Sequence, residues 1–115
     1  MLVHQILKSK AQKAVHTVPP GTPISKVAQI LTEKRIGGVV VSPDGSEIVG
    51  ILSERDIVRS LALRGAICLD EAVETLMTSN PVCCGRNDLA DDVLMRMTEG
   101  RFRHVPVAEN GKLIG

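Results

Sequence analysis

Apolar positions along the chain switch between two periods. Beyond Thr22, residues Ile24, Val27, Ala28 and Leu31 recur at helical spacing, so a helix with one apolar face is expected, with Thr22 as N-cap, Pro23 at the first helical position and Gly37 as its end. Val39 to Ser42 then reads as a short strand, Asp44-Gly45 as a turn, and a second strand begins near Ile48. Helical spacing returns at Ser53: Ile57, Val58, Leu61 and Ala62 are expected to face inward until about Arg64, with Gly65 as the stop. Near the N-terminus, Leu2, Val3, Ile6 and Leu7 within "MLVHQILKSKAQK" predict a short amphipathic helix packed on the body. Its lysines interrupt it far short of a membrane span or a signal sequence.

The same pattern is written twice. Displaced by 66 positions, Thr22 to Gly45 aligns with Asp88 to Gly111, and seven of the 24 pairs are identical: Val27/Val93, Thr32/Thr98, Glu33/Glu99, Arg35/Arg101, Val39/Val105, Val41/Val107 and Gly45/Gly111. In the second copy Asp88 is the expected cap, and Ala90, Val93, Leu94 and Met97 form the stripe until Gly100. A strand over Val105 to Ala108, a turn at Asn110-Gly111 and a strand from about Leu113 follow. The repeat divides the chain into residues 1–65 (N-terminal helix and first copy), 66–80 (a linker helix built on Leu69, Ala72, Val73, Leu76 and Met77) and 81–115 (second copy). Gly115 is the counterpart of Gly50, so the second copy is expected to be truncated there, with the equivalent of Ile51 to Arg64 lying beyond it.

Composition narrows the function classes. Hydrophobic residues make up 43% of 115 residues, enough for a packed globular domain. Fourteen basic and 13 acidic residues leave a net charge of +1, which recommends neither nucleic acid nor an anionic membrane as a partner. Phe102 is the only aromatic residue, so the stacking platforms of single-strand binders are missing. Three cysteines, Cys68, Cys83 and Cys84, lack paired C-x-x-C spacing, which argues for a reducing cytoplasm and against a disulfide framework or a zinc site. His4 and His16 have no metal-spaced companion, and no nucleophile triad, Walker loop or carboxylate pair supports catalysis.

Two tandem copies of strand, helix, strand, strand, helix, carrying "GGVVVSPDGSEIVGILSERDIVR" and then "RFRHVPVAENGKLIG", closely resemble an α/β pair of cystathionine-beta-synthase (CBS) domains related by a pseudo-twofold, the Bateman module, over about residues 15 to 115. In its "SERD" and "RHxPV" segments the chain resembles the small stand-alone bacterial proteins of this class. The resemblance implies a regulatory protein that binds an adenosine-containing ligand (AMP, ADP, ATP, NADH or S-adenosylmethionine) between its repeats and forms a homodimer, with no catalytic cofactor. It further implies that Asp56 holds the ribose hydroxyls, that Ser53 and Arg55 sit at the phosphate, and that Ile51 lines the adenine pocket. Arg103 and His104 would reach the same phosphate, while Thr78 and Val82 flank the base. By the same symmetry His16, Ile36 and Gly37 form half of a second site, which lacks the positive pair because Gly37 and Gly38 stand where the second copy has Arg103 and His104.

The residue chemistry fits those roles. Ser53 stands at a helix N-terminus, where free N–H groups and the helix dipole favour an anion. Arginine adds a fork of donors matched to phosphate oxygens, and an aspartate accepts both hydroxyls of a cis-diol. Each feature also has a plain structural reading. Ser53-Glu54-Arg55-Asp56 is close to a capping box, Arg103-His104 could be a solvated strand edge, and the cysteines and methionines could simply fill the core. Two other function classes remain open: a constitutive dimerisation module with an empty cleft, and a thiol redox protein using Cys83 and Cys84.

Overall fold

The computed structural model describes residues 1–10 and 15–115; the part of the expected N-terminal helix that reaches Lys13 lies outside the described residues from residue 11 on. The elements run α1 (Val3–Ser9), β1 (Thr17–Val18), α2 (Ile24–Lys34), β2 (Gly38–Val41), β3 (Gly50–Ser53), α3 (Glu54–Arg64), two short 3-10 turns (Ala66–Asp70 and Val73–Thr75), β4 (Thr78–Ser79), α4 (Ala90–Gly100), β5 (Ala108–Glu109) and β6 (Lys112–Leu113). The first copy is thus strand, helix, strand, strand, helix; β1 is the strand that the resemblance implied and the apolar pattern did not announce. Its sheet has the order β1-β2-β3-β4, with β1 and β2 parallel and the other pairs antiparallel; β5 and β6 form a separate hairpin.

The core follows the stripes. Ile24, Val27 and Leu31 of α2 are buried against Val39 and Val41 of β2, Leu52 of β3, Ile57 of α3 and Val73. A smaller core joins Val3 of α1 to Cys84, Val93 and Val107. Chain segments are exchanged between the halves. The N-terminal α1 is held by the second copy, where Val3 N donates to Asp88 O at 3.0 Å and Ala90 N to Met1 O at 2.8 Å. In return, β4 joins the sheet of the first copy. The exchange ties the two halves into one body, and a cleft lies where they meet.

Several local expectations are corrected. Pro23 has extended backbone (ψ 145°) and precedes the first helical residue, Ile24, while the Thr22 hydroxyl donates to Pro19 O at 2.7 Å instead of capping α2. Leu89, not Asp88, precedes α4, because the Asp88 carboxylate is engaged by Gly85 N at 2.8 Å and by Arg96. Gly37 lies beyond the end of α2, whereas Gly100 is the last residue of α4 as expected. In both helices the left-handed capping position falls to the arginine that follows, Arg35 (φ 54°) and Arg101 (φ 58°), and Ile36 N and Phe102 N donate back to Leu31 O and Met97 O at 3.1 Å in a Schellman-type turn. The linker helix is replaced by 3-10 turns, since Val73 N is drawn to Thr22 O at 2.7 Å and Ile24 N to Glu71 O at 2.9 Å, which pulls the segment extended across the start of α2.

The strands shift as well. The first runs over Gly38–Val41 and the second starts at Gly50; in the second copy only Ala108–Glu109 pairs with Lys112–Leu113, while Val107 bridges Cys84. On α3 only Ile57 of the four expected inward residues is buried, and Leu94 of α4 is exposed. Those exposed apolar residues have no covering layer in a single chain.

Candidate nucleotide-binding cleft

Strand β3 delivers Ser53 to the start of α3, and the two residues there bond reciprocally. The Ser53 Oγ accepts from Asp56 N at 3.4 Å, and Asp56 Oδ2 accepts from Ser53 N at 2.9 Å and from the Ser53 hydroxyl at 3.0 Å. The capping box is therefore real. It occupies only Oδ2, however; Oδ1 makes no hydrogen bond among the described residues, so the carboxylate that caps the helix retains an acceptor for a further partner.

Sheet register builds the walls. Antiparallel pairing sets Ile51 opposite Thr78 and Gly38 opposite Ser53. Pro81 and Val82 continue past β4, and the segment leaving α4 closes the other side with Phe102, Arg103 and His104. The His104 ring lies flat against the glycine pair: a Cβ at Gly37 would sit 3.1 Å from Cε1, and one at Gly38 would sit 3.4 Å from Cγ and Cδ2. Gly37 and Gly38 thus leave the space that the His104 ring occupies.

The cleft so enclosed measures about 290 Å³. Ile51, Ser53, Arg55 and Asp56 from the first copy all line it, as do Thr78, Val82, Arg103 and His104. Sequence reasoning missed Arg59, Arg101 and Phe102, which line it too. A signal existed for each. Phe102 and Arg101 are the repeat partners of Ile36 and Arg35, and Arg59 follows Arg55 by four residues, on the same helix face.

Charge in the cleft is mostly positive. Burial holds His104 below the usual histidine range; the Glu54 carboxylate opposes this, Arg103 reinforces it, and smaller effects of Asp56 and Lys10 pull in opposite directions. Its imidazole is thereby biased towards the neutral form in the empty protein, leaving the arginines to supply the charge. Outside this cleft, the Cys83 and Cys84 thiols are pushed up by burial, and in Cys84 by the Asp88 carboxylate as well. That suppresses thiolate and weakens the redox reading.

His16, Ile36 and Gly37 are also brought together, on a different cavity of about 710 Å³ that also contains Val3, Leu7, Val93, Met97 and Val105. Its lining is mainly apolar, but Ile51, Arg103 and His104 border it as well as the smaller cleft, so the two spaces adjoin at those residues, and Lys10, His16 and Asp91 add polar groups to the larger one. Among the described residues no group of three His, Cys, Asp or Glu side chains could hold a metal ion, and no helix is long and apolar enough to cross a membrane.

The CBS domain family model matches residues 5–63 and 73–115. The chain belongs to the CBS-domain family. Among solved structures, the CBS-domain protein ATU1752 from Agrobacterium tumefaciens is similar over 100% of this chain and 90% of its own, with 42% identity and a TM-score of 0.93. The CBS domain protein PAE2072 from Pyrobaculum aerophilum, solved in complex with AMP, is 26% identical with a TM-score of 0.84, covering 100% of this chain and 85% of that one. A curated relative, the CBS domain-containing protein CBSCBSPB5 of Arabidopsis thaliana, is 31% identical over 98 residues, 85% of this chain, which spans only 18% of that protein's length. The fold is accordingly a tandem CBS pair, and the cleft lies between its two repeats.

Proposed function

We propose that this CBS pair is a non-catalytic regulatory module that binds an adenosine-containing ligand in the 290 Å³ cleft and transmits occupancy through the geometry of a homodimer or a partner. The observation that carries the reading is the convergence on one cleft of a helix N-terminus, a carboxylate with a free acceptor, arginine side chains and an apolar wall. Asp56 Oδ1 takes the ribose diol, Ser53 and Arg103 take the phosphate together with Arg55 and His104, and Ile51, Thr78, Val82 and Phe102 enclose the base. The AMP complex of the Pyrobaculum aerophilum protein supports the adenosine class of ligand, as does a CBS pair of protein MJ0100 solved with 5-methylthioadenosine and S-adenosyl-L-methionine. AMP, ADP, ATP and NADH all carry the required ribose and phosphate. The free thiols fit a cytoplasmic setting.

The dimer has its own support. Val58 (63% exposed), Leu63 (78%) and Ile67 (68%) lie open on α3 and the turn after it, and Leu94 and Met95 lie open on α4. Calorimetric titration with AMP, alongside light scattering for mass, tests both halves of the proposal. Saturable binding on a particle of twice the chain mass is expected. A dimer that takes up neither AMP, ATP nor NADH would leave the constitutive interaction module as the function, and a monomer would remove the homodimer.

A further inference from the structure

The chain has eight arginines. Arg64, Arg86 and Arg96 are in ion pairs with Glu71, Glu109 and Asp88; among the described residues the other five have no carboxylate within 4.0 Å. Four of those five, Arg55, Arg59, Arg101 and Arg103, line the one cleft, where Asp56 is the only acidic residue. They stand on two sides of it, one pair a helical turn apart on α3 and the other on the segment leaving α4. A monophosphate carries about −1.5 to −2 charges and would leave this group of cations partly uncompensated. Like charges gathered on one rim repel each other, and a longer polyanion threaded between them relieves that repulsion.

Arg101 holds a left-handed position (φ 58°) that glycine adopts without a Cβ penalty, as does Arg35 (φ 54°) outside the cleft, so this conformation is common to both repeats. Position separates the parts of the site. Ser53, Asp56, Phe102 and His104 are half-buried, whereas the four arginines are exposed at the rim, where additional phosphates would trail out of a cleft sized for one nucleoside.

We infer that the cleft is built for a nucleoside polyphosphate, with two or more phosphates in line between Arg55, Arg59, Arg101 and Arg103, in preference to a monophosphate. The inference rests on the nucleotide reading of the cleft given above. Its affinity is carried by exposed charges and therefore falls steeply with salt.

The test is calorimetric titration of the full chain with adenosine, AMP, ATP and inorganic tripolyphosphate at one fixed ionic strength, without divalent cations. ATP is expected to bind at least about tenfold more tightly than AMP. Arg101→Gly removes the guanidinium and relieves the backbone, so its melting temperature holds or rises while the lead of ATP over AMP shrinks to less than about threefold. Arg35→Gly gives the same backbone change outside the cleft and should leave the lead intact. AMP and ATP binding equally to the parent protein would overturn the polyphosphate inference and leave the nucleotide reading standing. Tripolyphosphate binding without AMP, ATP or adenosine would overturn the nucleoside part of both. An undiminished lead in Arg101→Gly would remove Arg101 from the site, and failure of all four ligands to bind would overturn inference and reading together.

Discussion

Replacing Asp56 by glutamate separates its two jobs. In the empty protein, Asp56 Oδ2 accepts from Ser53 N at 2.9 Å and from the Ser53 hydroxyl at 3.0 Å, which is a capping interaction. Glutamate is the usual residue at this third helical position and reaches the same N–H. Unfolding free energy should therefore change by less than about 0.5 kcal/mol. The ribose contact assigned to Oδ1 depends on where the carboxylate sits in a half-buried wall, and one extra methylene drives it into the sugar. Losing a charge-assisted hydrogen bond costs about 1.5 to 3 kcal/mol. That corresponds to a loss of roughly 10- to 150-fold in affinity for AMP. Chemical denaturation reports the first quantity and calorimetric titration the second. Titration with 2′-deoxy-AMP sharpens the result: the parent should lose affinity for the deoxy ligand and Asp56→Glu should lose little more. An Asp56→Glu protein that binds AMP as tightly as the parent would show that Asp56 is only a helix cap.

Three more outcomes follow from the geometry. Arg103→Ala should weaken AMP by about tenfold or more while adenosine binding changes little, since only AMP offers a charge to pair; equal losses in titration would take Arg103 off the phosphate. Gly50→Ala should destabilise the fold by about 1 to 3 kcal/mol in urea unfolding, because a Cβ there would lie 3.0 Å from the Thr78 carbonyl oxygen and 2.5 Å from Met77 Sδ, and only the thioether can move aside. An unchanged midpoint would mean that β4 yields. His104 titrates below its unfolded value of about 6.5 because the folded protein buries it, so between that value and its folded pKa the unfolded chain binds more protons. Stability of the empty protein should therefore fall as pH drops from about 6.5 through this window, and His104→Gln should flatten the fall; an identical pH profile for the variant would show that His104 is not the group responsible.

The tandem pair was legible because two independent signals agreed, the period of the apolar residues and the displaced identity of seven residue pairs. Ile24, Val27 and Leu31 are all buried where the stripe put them. Helix ends were less legible. Glycine is the usual left-handed residue after a helix; the boundary drawn at Gly100 matches the end of α4 and the one at Gly37 overshoots α2, and in both the left-handed residue is an arginine, Arg35 or Arg101. Nothing in local propensity favours an arginine there. The linker failed for a different reason. Its apolar spacing is helical, but backbone hydrogen bonds to Thr22 and from Ile24 bind it to the start of α2, a tertiary demand that periodicity does not report.

In the cleft, the residues inherited from the repeat's motifs line one space, and Phe102, Arg101 and Arg59 were passed over because each had a bland local role, as a helix-end contact, a turn residue and an exposed helical cation. From the sequence alone the capping box and the ligand site read as rivals. Atom positions make them compatible, since the two oxygens of Asp56 are differently engaged.

The most direct measurement is a crystal structure of the protein soaked with AMP. The account predicts the nucleotide in the smaller cleft, its ribose hydroxyls within about 3.2 Å of Asp56 Oδ1 and its phosphate on the Ser53 hydroxyl and the Arg103 guanidinium. AMP lodged instead in the larger cavity against His16, Ile36 and Gly37, or a cleft that stays empty at saturating ligand with Ser53 and Asp56 still bonded only to each other, would contradict it.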